Sequence, residues 1–272
     1  MKVWLLLVAL LPLAAVAPAS AACAPDSGVV IYYGNGMFIT PSRARVQALL
    51  MDRRLRPHLP AGTKVTFSYA YNNNEDSYTQ MLQVVAQAVL GKTSLKLPSV
   101  PKVPTVPSVP SVPSWVPNAE KVTSAIQAIE KASNPDSYVK YPDLMAHVAR
   151  YRTDLAAGKR VLLLAHSQGN FYANKAHEQL SSTAGFGIVS VGTPDNYTAG
   201  NGPYTTLTND EIIKPIPNRR APNTSNSAAF NKLVGGDGHS FTGHYLDGDV
   251  SGPKIVSQVN TTLASLGCPA TP

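Results

Sequence analysis

The run Val161-Leu162-Leu163-Leu164-Ala165 is the most apolar strand candidate in the chain, with no polar residue on either face. A strand open to water on one side alternates. One that is apolar throughout is covered on both sides, as in a parallel sheet sandwiched by helices. The neighbouring segments agree with that reading. β-Rich runs at Val29 to Tyr33, Val65 to Tyr69, Phe186 to Val191 and Tyr204 to Leu207 alternate with helical spacings. One helix is expected from Pro41, with Thr40 as N-cap and Val46, Leu49 and Leu50 on its apolar side. Further stripes run through Tyr78, Met81, Leu82, Val85 and Val89, and through Leu144, Val148, Tyr151 and Leu155 up to Gly158. A last helix from about Pro253 carries Ile255, Val256, Val259, Leu263 and Leu266. Such alternation predicts a doubly wound α/β fold, a mostly parallel sheet with helices on both faces.

Composition excludes the competing classes. With 44% hydrophobic and 14% charged residues in 272, the chain is no charged disordered segment. Two cysteines cannot staple a small disulfide scaffold. Cys23 and Cys268 stand near the two ends, where a bridge between neighbouring termini and a pair of free thiols are both open. The net charge is +7, and Arg43, Arg45, Arg53, Arg54 and Arg56 supply much of the excess. A basic face can attract anionic surfaces or nucleic acid. The aromatic residues that single-strand binders interleave with such a face are missing, so a solvated helix face is expected, and no nucleic acid.

Two segments stand outside the alternation. Met1-Lys2, the apolar stretch from Val3 to Leu11 and the small residues ending Ala19-Ser20-Ala21 read as a signal peptide over 1–21. Pro12 and Pro18 interrupt the run, which argues against a transmembrane span. The mature chain, 22–272, is then expected to be one soluble domain, secreted or periplasmic. The second segment is a Val-Pro-rich insertion at about 95–117, with proline at 98, 101, 104, 107, 110, 113 and 117. Repeated proline removes amide donors and fixes φ, and a period of three suits an extended polyproline conformation. A helix restarts at Asn118 with Val122, Ile126 and Ile129. The tract is a spacer, a wall or cover for a site, or a segment that binds a partner of unknown kind.

The chemistry is concentrated at the end of the strongest strand, in Ala165-His166-Ser167-Gln168-Gly169-Asn170. A buried strand runs into Ser and Gly, and a helix through Phe171, Ala173, Ala176 and Leu180 follows. This fits a nucleophile elbow, a sharp strained turn that lifts a hydroxyl clear of the sheet. Small residues two before and two after the serine let neighbouring backbone come close. Ala165 stands where the pattern has its first glycine. The helix N-terminus places partial positive charge where an oxyanion would develop. His166, adjacent to the serine, is expected to pack or hydrogen-bond instead of acting as base.

These residues, with Tyr33-Gly34-Asn35-Gly36-Met37, Gly192-Thr193-Pro194, Thr208 to Ile213 and Gly238-His239-Ser240-Phe241, resemble secreted serine hydrolases of the α/β-hydrolase superfamily, near lipases and esterases. The resemblance spans nearly the whole mature chain. It implies a Ser-His-Asp triad in the chain order serine, acid, histidine, and no metal or organic cofactor. Ser167 is the nucleophile. Asp210, after the Tyr204 to Leu207 strand, is the expected acid, and Asp195 the alternative. His239, in the loop Gly235-Gly236-Asp237-Gly238, is the expected base; His244 competes with it, and His177 should point away. Backbone N–H groups of Met37 and Gln168 are the expected oxyanion hole. The implied substrate is a small-molecule or lipid ester. A polyester depolymerase, thioesterase or amidase would use the same triad, and a non-catalytic surface protein could reuse the scaffold.

Weaker signals are Asp247-Gly248-Asp249, which lacks the spaced ligands of a calcium loop and is expected to be a surface turn. Asn196, Asn223 and Asn260 each open a glycosylation triplet, which matters only in a eukaryotic source.

Overall fold

The computed structural model describes residues 28–36, 39–72, 142–180, 184–214, 216 and 219–268. Five strands are ordered in it: β1 (Val29–Gly34), β2 (Val65–Ala70), β3 (Arg160–His166), β4 (Phe186–Val191) and β5 (Tyr204–Thr205). They form one sheet in the order β2-β1-β3-β4-β5, and every pairing is parallel. The helices are α1 (Pro41–Leu55), α2 (Pro142–Ala156), α3 (Gly169–Leu180), α4 (Ala228–Val234) and α5 (Ser251–Ser265). A π-helical turn, Phe241–Leu246, lies between α4 and α5.

Strand residues alternate between two cores, as the two-residue period requires. Val29, Ile31 and Tyr33 of β1, with Leu162 and Leu164 of β3, face α1 and α5. Val30 and Tyr32, with Val161, Leu163 and Ala165, face α2 and α3. The molecule is thus an α/β structure with helices on both faces of a parallel sheet. Every residue of β3 from Val161 to His166 is buried. A fully buried Leu contributes about 1.5–3 kcal/mol, comparable to the cost of one strained residue, about 1–3 kcal/mol. A strand packed on both faces, as β3 is, can therefore hold a strained turn at its end.

Two expectations need correction. In α1 the buried residues are Ala44, Ala48, Met51 and Leu55, whereas Val46 and Leu49 are 51% and 57% exposed. The two alanines present a flat surface that lets the helix lie close to the sheet, and the larger residues turn outward. Thr40 does cap this helix, its hydroxyl accepting Arg43 N–H. The last strand is also shorter than the run Tyr204 to Leu207. Its ladder with β4 ends at Thr205, and Leu207 makes an isolated bridge to Thr224.

Among the described residues no helix is long and apolar enough to cross a membrane. The segment 1–21, Cys23, Met37, the stripe from Tyr78 to Val89, the Val-Pro tract and the helix from Asn118 lie outside the described residues. Cys268 is disulfide-bonded, and Cys23 is the other cysteine in the sequence.

Candidate active site

Ser167 follows β3 directly and has φ of 53°, a left-handed backbone that a serine adopts only when its surroundings enforce it. Those surroundings are visible. Ser167 N–H donates to the Val191 carbonyl at 3.1 Å, and the Ser167 carbonyl accepts Asn170 N–H at 3.0 Å. The Asn170 amide bridges the Ser167 and Val191 carbonyls at 2.9 and 3.1 Å. Gly169 opens α3 where a Cβ would lie 2.6 Å from the Gly34 carbonyl oxygen. Only glycine lets the end of β1 pass so near the turn.

The loop after β1 lies against the serine. A Cβ on Gly36 would be 2.6 Å from Ser167 Cβ and 3.1 Å from its Oγ. A reciprocal clamp holds this loop. Asn72 N–H donates to Asn35 Oδ1 at 2.7 Å, and Asn72 Nδ2 to the Asn35 carbonyl at 2.7 Å. Both residues are buried, and together they join the ends of β1 and β2. Gln168 is buried beside Ser167 at the start of α3, at the positive end of the helix. Met37, its expected counterpart, is not among the described residues.

The remaining groups come from two later loops. His239 Nε2 is 3.0 Å from Ser167 Oγ, and His239 Nδ1 is 3.0 and 2.9 Å from the two Asp210 carboxylate oxygens. A carboxylate only accepts, so Nδ1 carries the proton and Nε2 is left to accept from the hydroxyl. Asp210 also accepts Ile212 and Ile213 N–H at 3.1 and 2.9 Å, and the Tyr245 hydroxyl at 2.6 Å. Burial by itself would raise the Asp210 pKa. The facing His239 charge and the hydrogen bonds from His239, Tyr245 and Ile213 outweigh it, so the carboxyl sits below its ordinary range.

The rival candidates are engaged elsewhere. His244 is buried with both ring nitrogens occupied: Nδ1 accepts Ser240 N–H at 3.1 Å, and Nε2–H donates to the Gly235 carbonyl at 2.6 Å. It staples the two ends of the loop that carries His239. Asp195 accepts from Asn174 Nδ2 at 2.8 Å and from Asn196 N–H, and shares no hydrogen bond with His239 or Ser167. His177 packs beside Phe186. Among the described residues no group of three or more His, Cys, Asp or Glu is placed to hold a metal ion. Asp247 pairs with Arg54 and Asp249 accepts Ser227 N–H, as in a surface turn.

His166 is tied to the same loop. Its Nε2–H donates to the His239 carbonyl at 3.0 Å, and the two rings lie 4.7 Å apart. Burial first, then the neighbouring His239, pushes its pKa down to about 3. A histidine depressed from 6.5 to about 3 stays neutral in the fold while its unfolded form takes a proton. Its contribution is therefore intact above about pH 6.5 and is lost as pH falls towards about 3. His166→Gln is expected to flatten the acid-side decline of melting temperature between those values. Parallel curves for the variant and the parent would remove His166 from the account.

Comparison of the chain with family models, curated proteins and solved structures returns no match. Sequence reasoning placed Ser167, Asp210 and His239 separately, and the structure brings them into one hydrogen-bonded line. It missed Tyr245 and the Asn35–Asn72 clamp. Asn35, flanked by Gly34 and Gly36 after a buried strand, was the available signal for the clamp.

Proposed function

We propose that the chain is a secreted serine hydrolase of α/β-hydrolase type that cleaves carboxylic esters. The observation that carries this reading is the line Ser167 Oγ, His239 Nε2, His239 Nδ1, Asp210, with Ser167 on a strained turn at the carboxyl edge of a parallel sheet. Among the described residues Ser167 follows the third strand in sequence order, Asp210 follows the fifth, and His239 precedes α5. That arrangement supports the superfamily reading.

In the reaction, His239 Nε2 takes the Ser167 proton as Oγ attacks the ester carbonyl carbon. The carbonyl π pair moves to oxygen, and the resulting oxyanion rests on the backbone N–H of Gln168, with the N–H of Met37, outside the described residues, as the expected second donor. One such donor is worth about 2.7–4 kcal/mol at the transition state. His239 then gives its proton to the departing alkoxide, leaving an acyl-enzyme. Water, deprotonated by the same imidazole, releases the acid and restores Ser167. Asp210 holds the ring in the working tautomer throughout.

A fluorophosphonate probe tests the proposal. The protein should label at one serine, and Ser167→Ala should abolish labelling while keeping the parent circular dichroism. An ester panel of graded acyl length then assigns the substrate range. A folded protein that neither labels nor hydrolyses any ester of the panel would leave a scaffold, not an enzyme.

A further inference from the structure

Tyr245 sits in the π-helical turn with its ring fully buried in the core that faces α1 and α5. Its ring alone would satisfy that core. The hydroxyl needs another explanation, because an unpaired one there is costly. It makes two contacts. Leu207 N–H donates to Tyr245 Oη at 3.2 Å, and Oη donates to Asp210 Oδ2 at 2.6 Å. The end of β4 is cut back to admit the pair: a Cβ on Gly192 would stand 3.0 Å from Tyr245 Oη and 3.3 Å from Asp210 Oδ2.

We propose that Tyr245 is a positioning residue of this site, one whose hydroxyl fixes Asp210 and shares with His239 Nδ1–H the carboxylate that faces the ring. The proposal rests on the hydrolase reading for its kinetic consequence, although its structural part does not. The direction of the bond is dictated. Leu207 N–H occupies one lone pair of the phenol oxygen, and the ionised carboxylate has no proton to offer, so the phenol must donate. Burial, then the Asp210 charge, raises the Tyr245 pKa well above 10, and the hydroxyl keeps its proton wherever a histidine base operates.

The carboxylate is thus shared among His239 Nδ1–H, Tyr245 Oη–H and the Ile212 and Ile213 amides. Each extra donor stabilises the anion and weakens its pull on an imidazolium. Without the Tyr245 donor the carboxylate becomes more basic, the imidazolium is better stabilised, and His239 holds its proton to higher pH. The other ionisable neighbours are accounted for. His166 faces His239 from β3 and is neutral by burial. Asp237, on the loop of His239, accepts His239 N–H. Glu211, beside Asp210, pairs outward with Lys214.

Tyr245→Phe keeps the ring and removes the hydroxyl. The acidic limb of kcat/KM against pH is expected to move up by roughly half to one unit relative to the parent. The NMR titration of the His239 ring, which needs no substrate, should move the same way. Incorporation of 3-fluorotyrosine at 245 makes a stronger donor on the same ring and should move both downward. This replacement also covers the case in which the Phe variant fails to fold. A Tyr245 that only fills space would lower the melting temperature in Tyr245→Phe and leave both titrations where they were. That result, or fluorotyrosine shifting them upward, overturns the proposal. If the parent does not label or turn over esters, the hydrolase reading fails, and the His239 titration still decides the role of Tyr245.

Discussion

His239→Ala is expected to lower ester turnover by about four to six orders of magnitude, while His244→Ala stays within about a hundredfold of the parent. The two histidines are five positions apart and both buried or nearly so, yet their bonds differ in kind. His239 joins Ser167 to Asp210 through its two nitrogens. Removing it leaves the hydroxyl with no acceptor for its proton, and only the oxyanion donors and substrate binding remain to catalyse. His244 uses its two nitrogens on Gly235 and Ser240 of its own loop. Its loss frees two backbone groups and costs about 1–3 kcal/mol of stability. The consequence for turnover is indirect, through looser placement of His239. Kinetics of both variants on one ester, with melting curves alongside, check this. An active His239→Ala beside a dead, folded His244→Ala would transfer the base to His244 and contradict the observed pairing.

How far such a site can be read in advance depends on what each residue leaves in the local pattern. β3 was legible because both of its faces are covered, which forces an unbroken apolar run. Ser167 was legible because strand, tight turn and helix follow one another within a few positions. α1 was misjudged because its buried stripe is led by Ala44 and Ala48. Small residues that permit close packing carry little hydrophobic signal, whereas Val46 and Leu49 carry a strong one and point outward. Asp210 and Asp195 both follow strand ends, and only the resemblance of Thr208 to Ile213 favours Asp210. What separates them is the partner opposite: His239 for Asp210, and Asn174 for Asp195. Those partners lie 29 and 21 positions away in the chain. Tyr245 leaves no local signal for the same reason, and the Asn35–Asn72 clamp leaves only an asparagine between two glycines. Each is a single pairing across distant segments, with no periodicity to announce it.

Asp210→Asn is expected to lower kcat by about 10⁴ and to slow fluorophosphonate labelling, with a smaller effect on KM. The geometry says how. The Ile212 and Ile213 amides both donate to Oδ1, so an asparagine would place its carbonyl oxygen there and its NH₂ at the Oδ2 position. That NH₂ would face His239 Nδ1 from the place where Oδ2 stands at 2.9 Å. An amide donor there favours the tautomer with the proton on Nε2. The ring would then present N–H to Ser167 Oγ instead of a lone pair, and could not take the hydroxyl proton. The same NH₂ would confront the Tyr245 hydroxyl, whose oxygen already accepts Leu207 N–H. The variant also lacks the negative charge that stabilises an imidazolium once formed. Asp195→Asn, by contrast, alters a group bonded to Asn174 and Asn196, and should leave kcat within about tenfold, since it touches no group of the proton-transfer line. Near-normal turnover in Asp210→Asn with a collapse in Asp195→Asn would move the acid to Asp195, and the hydrogen bond between Asp210 and His239 would need another role.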